Sequence, residues 1–166
     1  IKQKYLKTNG RIPPATDIIL TMLEDLGKSS SFVTLMQEHL GLTLTGSFIE
    51  CIHNSTLQQS IDNTIDPELI MAIANKLNKS MPETEDIMVN LSINCRLLPE
   101  EVINAVGEAT SLSDMEKLVT ESAFIESIHN YEKKLETYLS DIEREAKKSE
   151  KHLIEANLRL VVSVAK

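Results

Sequence analysis

The chain has 166 residues, 42% hydrophobic and 25% charged, with no Trp and a formal net charge of −8. That length allows one domain, or one domain with an appendage, burying roughly two thirds of its unfolded surface, so neither disulfides nor a metal is needed to hold it together. The composition excludes collagen-like and low-complexity chains, and no run of 18 apolar residues is present to span a membrane.

Taken in chain order, the punctuation is that of an all-α protein, with no period-2 strand or hairpin pattern. Thr16 is placed to cap a helix over Asp17–Leu26 stopped by Gly27, with Ile18, Ile19, Met22, Leu23 and Leu26 at helical spacing. Ser30 or Ser31 opens a second helix through Leu40, closed by Gly41. A third is predicted over Ser47–Ser60, using Phe48, Ile49, Ile52 and Leu57. Asp66-Pro67-Glu68 is a strong start signal: a capping carboxylate, a proline where its missing N–H costs nothing, and an acid at the positive helix end. Leu69, Ile70, Ile73, Ala74 and Leu77 follow as a stripe. Ser80-Met-Pro-Glu83 reads as a capping box ahead of Ile87, Met88 and Leu91. Pro99-Glu-Glu101 opens a short helix ended by Gly107.

Beyond Gly107 the chain contains neither Gly nor Pro. Ser113-Asp-Met-Glu116 offers another capping box. Phe124, Ile128, Tyr131, Leu135, Tyr138, Ile142 and Ala146 recur at intervals of three and four, predicting a long amphipathic helix with a near-heptad seam. The polar run Lys147–Lys151 shifts the phase and predicts a bend. The last stretch, Ile154–Lys166, is apolar around much of its circumference, as in helices central to a core or held between partners. The chain stops there without a helix-ending residue, so the final helix reads as truncated. The fold class predicted is therefore an all-α multi-helix bundle with a long C-terminal amphipathic helix and a truncated apolar final helix.

Charge divides the chain into three segments. Residues 1–14 carry four bases and no acid; residues 15–130 carry five bases and 18 acids, a net of −13; residues 131–166 carry eight bases and seven acids, a net of +1. The acidic middle would be repelled by a phosphate backbone and is suited to water or a basic protein surface. Cys51 and Cys95 form no CxxC and read as buried free thiols. His39, His53, His129 and His152 are dispersed, with no HExxH, so no metal site is expected. There is no P-loop, GxGxxG or nucleophile elbow, and no catalytic residue or cofactor is predicted.

Two blocks carry a resemblance. Ile154-Glu-Ala-Asn-Leu-Arg-Leu-Val-Val-Ser-Val-Ala-Lys166 resembles the start of conserved region two of the bacterial sigma-70 family of RNA polymerase sigma factors, with Asn157, Leu158, Arg159, Leu160 and Val161 matching its densest part. Tyr5-Leu-Lys-Thr-Asn-Gly-Arg-Ile-Pro-Pro-Ala-Thr16 resembles that family's late region one, a Tyr-Leu-x-x-x-Gly-Arg-x-Pro pattern. Asn9 stands where the family usually has Ile, and Pro14-Ala15 replaces a common Leu-Leu. The blocks, thirteen and twelve residues long, fall in the family's order.

The resemblance implies a primary-type factor, present here as a fragment: residues 1–16 as the end of region one, 17–130 as the acidic non-conserved insertion, and 131–166 as the lead-in and start of region two. It implies a cytoplasmic, non-enzymatic protein that directs RNA polymerase core to promoters and assists promoter opening. Its partners would be core polymerase, promoter DNA in the full-length factor, and a possible further protein for the insertion. Tyr5, Leu6 and Lys7 would contact the single-stranded discriminator, where a Tyr ring can stack on a base and a Lys can meet a phosphate. Lys4 and Arg11 would support the same field. Asn157 to Val161 would hold the region-two helix against its neighbours, with Asn157 and Arg159 hydrogen-bonded internally. The blocks at the two ends of the chain would pair as long antiparallel helices. The alternative from the residues alone is an acidic helical module that binds another protein of the transcription machinery.

Overall fold

The computed structural model describes residues 12–43, 46–62, 66–108 and 110–164, and within these the side chains as far as residue 158. The described chain is helical throughout: α1 (Ala15–Lys28), α2 (Ser30–His39), α3 (Phe48–His53), α4 (Ser55–Asp62), α5 (Pro67–Leu77), α6 (Met81–Leu97), α7 (Glu100–Val106), a 3₁₀ turn (Leu112–Asp114), α8 (Met115–Leu118), α9 (Ser122–His129) and α10 (Glu132–Val164). Among the described residues no strand forms. One isolated bridge joins Ser47 to Ser111, where Phe48 N donates to Thr110 O at 2.9 Å.

Several helix starts are as the sequence predicts, because a side chain satisfies amides that the helix itself cannot. Asp66 Oδ1 accepts from Glu68 N at 3.0 Å, with Pro67 opening α5. Ser80 and Glu83 form the reciprocal capping box of α6. α5 ends with Asn78 in the left-handed region, and Lys79 N returns to Ala74 O at 3.0 Å. Gly107, at φ +82°, follows α7.

Other starts and stops differ. The predicted 47–60 helix is two, because the Asn54 backbone is extended and its Oδ1 caps α4 through Leu57 N at 2.9 Å. The 113–116 capping box does not form. Ser111 Oγ instead bonds Asp114 Oδ2 at 2.7 Å, and the segment becomes a 3₁₀ turn leading into α8. The long amphipathic helix is interrupted at Asn130–Tyr131. In an unbroken seam Tyr131 would have to bury its phenol; the turn leaves it 40% exposed while Phe124, Ile128 and Leu135 stay buried. The bend predicted at Lys147–Lys151 is absent. α10 runs through it as one helix of 33 residues, so there is no separate final helix. Nothing in that stretch breaks a helix, and ion pairs such as Arg144–Asp141 (3.0 Å) and Lys151–Glu155 (4.0 Å) line it.

One core extends from Ala15 to Leu135, and α1 runs through its middle, touching α6, α8, α9 and α10. Ile19, Leu23 and Leu26 of α1 are fully buried, together with Phe32, Phe48, Ile70, Leu91, Met115, Ile128 and Leu135. Gly27 does not stop α1, which continues to Lys28. It lies at the crossing with α8, where an added Cβ would stand 3.0 Å from Met115 Cβ and 3.1 Å from Glu116 N. The missing side chain is what lets the two backbones approach.

Gly27→Leu should therefore force α8 away from α1. Overpacking of this kind costs about 1–3 kcal/mol, or roughly 3–10 °C in Tm for a chain of this size. A melt by circular dichroism unchanged within about 1 °C would show that the close approach is not needed.

Candidate functional site

The two blocks that carry the family resemblance converge on α10. Tyr5, Leu6 and Lys7, with Lys4 and Arg11, lie outside the described residues, as does the antiparallel pairing expected of the first block. What is described is the end of that block, and it meets the first turns of α10. Pro13 is buried there, and Pro14 and Ile18 line a small cavity of about 100 Å³ with Glu132, Glu136 and Leu139.

Thr16 was expected to cap α1 with its own side chain. It is instead part of a cap supplied from 116 residues away: Thr16 N donates to Glu132 Oε2 at 2.9 Å, Ala15 N donates to Oε1 at 2.7 Å, and the Thr16 hydroxyl also donates to Oε2. Pro14, at the cap position, makes no side-chain cap bond. One carboxylate thus takes three donors at a helix start, where the helix dipole also favours negative charge. Burial pushes the Glu132 carboxyl up, but the bonds from the Thr16 hydroxyl and from the Thr16 and Ala15 amides outweigh it and hold the group below the usual glutamate range. Close by, Lys134 of α10 pairs with Glu101 of α7, and Leu135 enters the core. The root of α10 is therefore fixed to α1, to α7 and to the core.

The far part of α10 is different. Tyr138, Leu139 and Ile142 are half-buried, and every residue from 143 to 158 is exposed. Leu153, Ile154 and Leu158 are 63%, 53% and 59% exposed. Of the apolar stretch, Ile154 to Leu158 lie outside this chain's core, which leaves the other alternative for it, a helix held between partners. One expectation is corrected, since Asn157 is exposed instead of lying on a buried helix. The physical reason is reach: Asn157 lies 21 residues beyond Glu136, about 32 Å along the helix axis, past the last core side chain. The Arg159, Leu160 and Val161 backbone continues the helix. So the structure brings the end of the first block to the root of the helix that bears the second block, and holds Asn157 and Leu158 away from it.

Cys51 and Cys95 are buried free thiols, as expected, and burial pushes them up to about 11 and about 12 respectively. Thiols so protonated are poor nucleophiles. Among the described residues no group of three or more His, Cys, Asp or Glu is arranged to hold a metal ion, and no helix is long and apolar enough to cross a membrane.

Glu132 was missed by the sequence reading, since a single acid in a charged helix carries no signal of a partner 116 residues earlier. The chain matches no family model, no curated protein and no solved structure.

Because the folded Glu132 carboxyl titrates below its unfolded value, its contribution is fully present above the ordinary glutamate range and is lost as pH falls through the folded value. Glu132→Ala should cost about 1–2 kcal/mol at pH 7, roughly 3–6 °C in Tm. The gap between variant and parent should close as pH is lowered through the carboxylate range. A gap independent of pH between 7 and 3 would count against the carboxylate cap.

Proposed function

We propose that this chain is part of a primary-type sigma factor of the sigma-70 family, which directs RNA polymerase core to promoters and assists their opening. The single observation that carries the reading is the Ile154–Lys166 block, whose sequence resembles the start of region two and whose described part stands on an exposed helix. Leu153, Ile154 and Leu158 in water form an apolar surface without a partner in the described residues. In a sigma factor that surface would meet the remainder of region two. In the same reading residues 1–16 end region one and 17–130 form the non-conserved insertion. Tyr5, Leu6 and Lys7, aided by Lys4 and Arg11, touch the discriminator strand. Asn157 to Val161 hold the region-two helix in register. The chain acts in the cytoplasm, with no catalytic residue and no cofactor.

The second reading, an acidic helical module that binds a protein of the transcription machinery, draws on the net charge of −13 over residues 15–130. Both can hold for one molecule, since an insertion can carry its own partner.

The test is promoter-directed transcription by core polymerase with and without the full-length gene product. Defined transcripts that appear only with the added protein support the factor reading; random initiation alone, with no binding to core, removes it. Leu158→Glu sharpens the test. An exposed position should leave Tm within about 2 °C, while promoter-specific transcript falls at least tenfold. A large loss of Tm, or transcription equal to the parent, would count against a partner surface at the α10 tip.

A further inference from the structure

Two nucleophilic groups lie outside the candidate site, and they share one place. Cys51 of α3 and Cys95 of α6 both line a space in the core, walled by Leu26, Phe48, Ile61 and Leu91, that is too small for a water molecule. Gln58 of α4 ties the two together: its Nε2 donates to Cys51 O at 2.8 Å, and its side chain also bonds the Cys95 sulfur. A second amide, Gln37 Nε2 of α2, lies 3.8 Å from Cys51 Sγ. Burial is the main reason the Cys95 thiol is pushed up; the Gln58 bond opposes it, and the charge of Cys51 adds to it. That last effect acts from one sulfur to the other across a gap that holds no water to screen it. The chain has no other cysteine, so pairing within it has one possible outcome.

The elements that carry the two thiols are held with different firmness. α6 runs for 17 residues and packs on α1, α4 and α5. α3 has six residues, of which Phe48 and Cys51 are buried. A short helix with two buried side chains can part from the body without the whole core unfolding. Such opening is needed for any chemistry here, because no reagent fits the closed space and the folded thiols hold almost no thiolate. Residues 52–94, with all of α4 and α5, lie between the cysteines, and a bridge would close them into a ring.

We propose that Cys51 and Cys95 form a redox latch: oxidation by a small-molecule disulfide of the glutathione type joins them in a bridge that locks α3 to α6. The thiolate of one cysteine, exposed as α3 opens, attacks a sulfur of the small disulfide. One small thiol leaves, and a mixed disulfide remains on the protein. The second thiolate attacks the protein sulfur of that mixed disulfide as α3 closes, forming the Cys51–Cys95 bond and releasing the second small thiol. The two protons of the cysteines end on the two released thiols; the protein loses two electrons and the small disulfide gains them. Excess small thiol reverses both steps. Reduced, α3 opens freely. Bridged, it cannot part from α6, and the ring of residues 52–94 restricts the unfolded chain. This inference does not rest on the sigma-factor reading and survives its failure.

The experiment exposes the whole 166-residue chain to oxidised glutathione in native buffer, blocks the remaining thiols and maps the peptides by mass spectrometry. The expected product is a monomer that has lost two hydrogens, with the Cys51 and Cys95 peptides joined and the helical circular dichroism unchanged. Its Tm should lie roughly 5–12 °C above that of the reduced chain, and dithiothreitol should restore the lower value. Cys95→Ala should stop at a glutathione adduct on Cys51, with no gain in Tm. On the unsubstituted chain, a glutathione adduct without a bridge, or a bridge between two chains, would overturn the proposal. So would thiols that stay reduced in native buffer yet react in urea, and a bridged chain that melts no higher than the reduced one.

Discussion

The fold hangs on how α1 is held. This helix is the axis of the core, yet it begins just after two prolines, and Pro14 brings no capping side chain. Its first amides would be orphaned in a partly buried place without the Glu132 carboxylate. That contact is long in sequence and short in space. It couples the start of the core to the root of α10, and with Lys134–Glu101 and Leu135 it determines where the long helix leaves the body. At its other end α1 is pressed to α8 at Gly27. Between these two attachments the buried side chains of α1 have little freedom of rotation or slide, and the α2–α7 helices pack around a fixed reference.

Much of the local chemistry was legible in the sequence, though the Asn54 cap of α4 and the Ser111–Asp114 bond were not. Asp66-Pro67, the Ser80–Glu83 box and Gly107 mark true boundaries because each acts within four residues of itself. The apolar stripes of α1 and α5 are buried as their spacing predicts, apart from the half-buried Leu77. Two misreadings arise where a distant group competes. Thr16 looked like a cap because its own hydroxyl could serve, but Glu132 offers two oxygens to two amides. Gly27 looked like a stop because glycine commonly is one, whereas its use here is the approach of α8. Asn54 and Tyr131 break helices that periodicity alone would continue, one by capping its successor and one by avoiding burial of a phenol.

The candidate site was legible in a narrower sense. The Ile154 block stands out in sequence as apolar without an obvious partner, and the structure leaves its described part in water. Its exposure was not readable, since all-round apolar helices are normally buried; only the length of an unbroken α10 places it beyond the core.

The continuity of α10 also has a mechanical meaning. A helix of 33 residues spans about 50 Å and transmits bending far better than a jointed pair would. With its base gripped by Glu132, Lys134 and Leu135, it is a lever whose fulcrum is the start of α1. A tilt of about 5° at the fulcrum moves the Asn157 end by about 3 Å, over the 32 Å from Glu136. Load on either the tip or the acidic body is then felt by the other as torque.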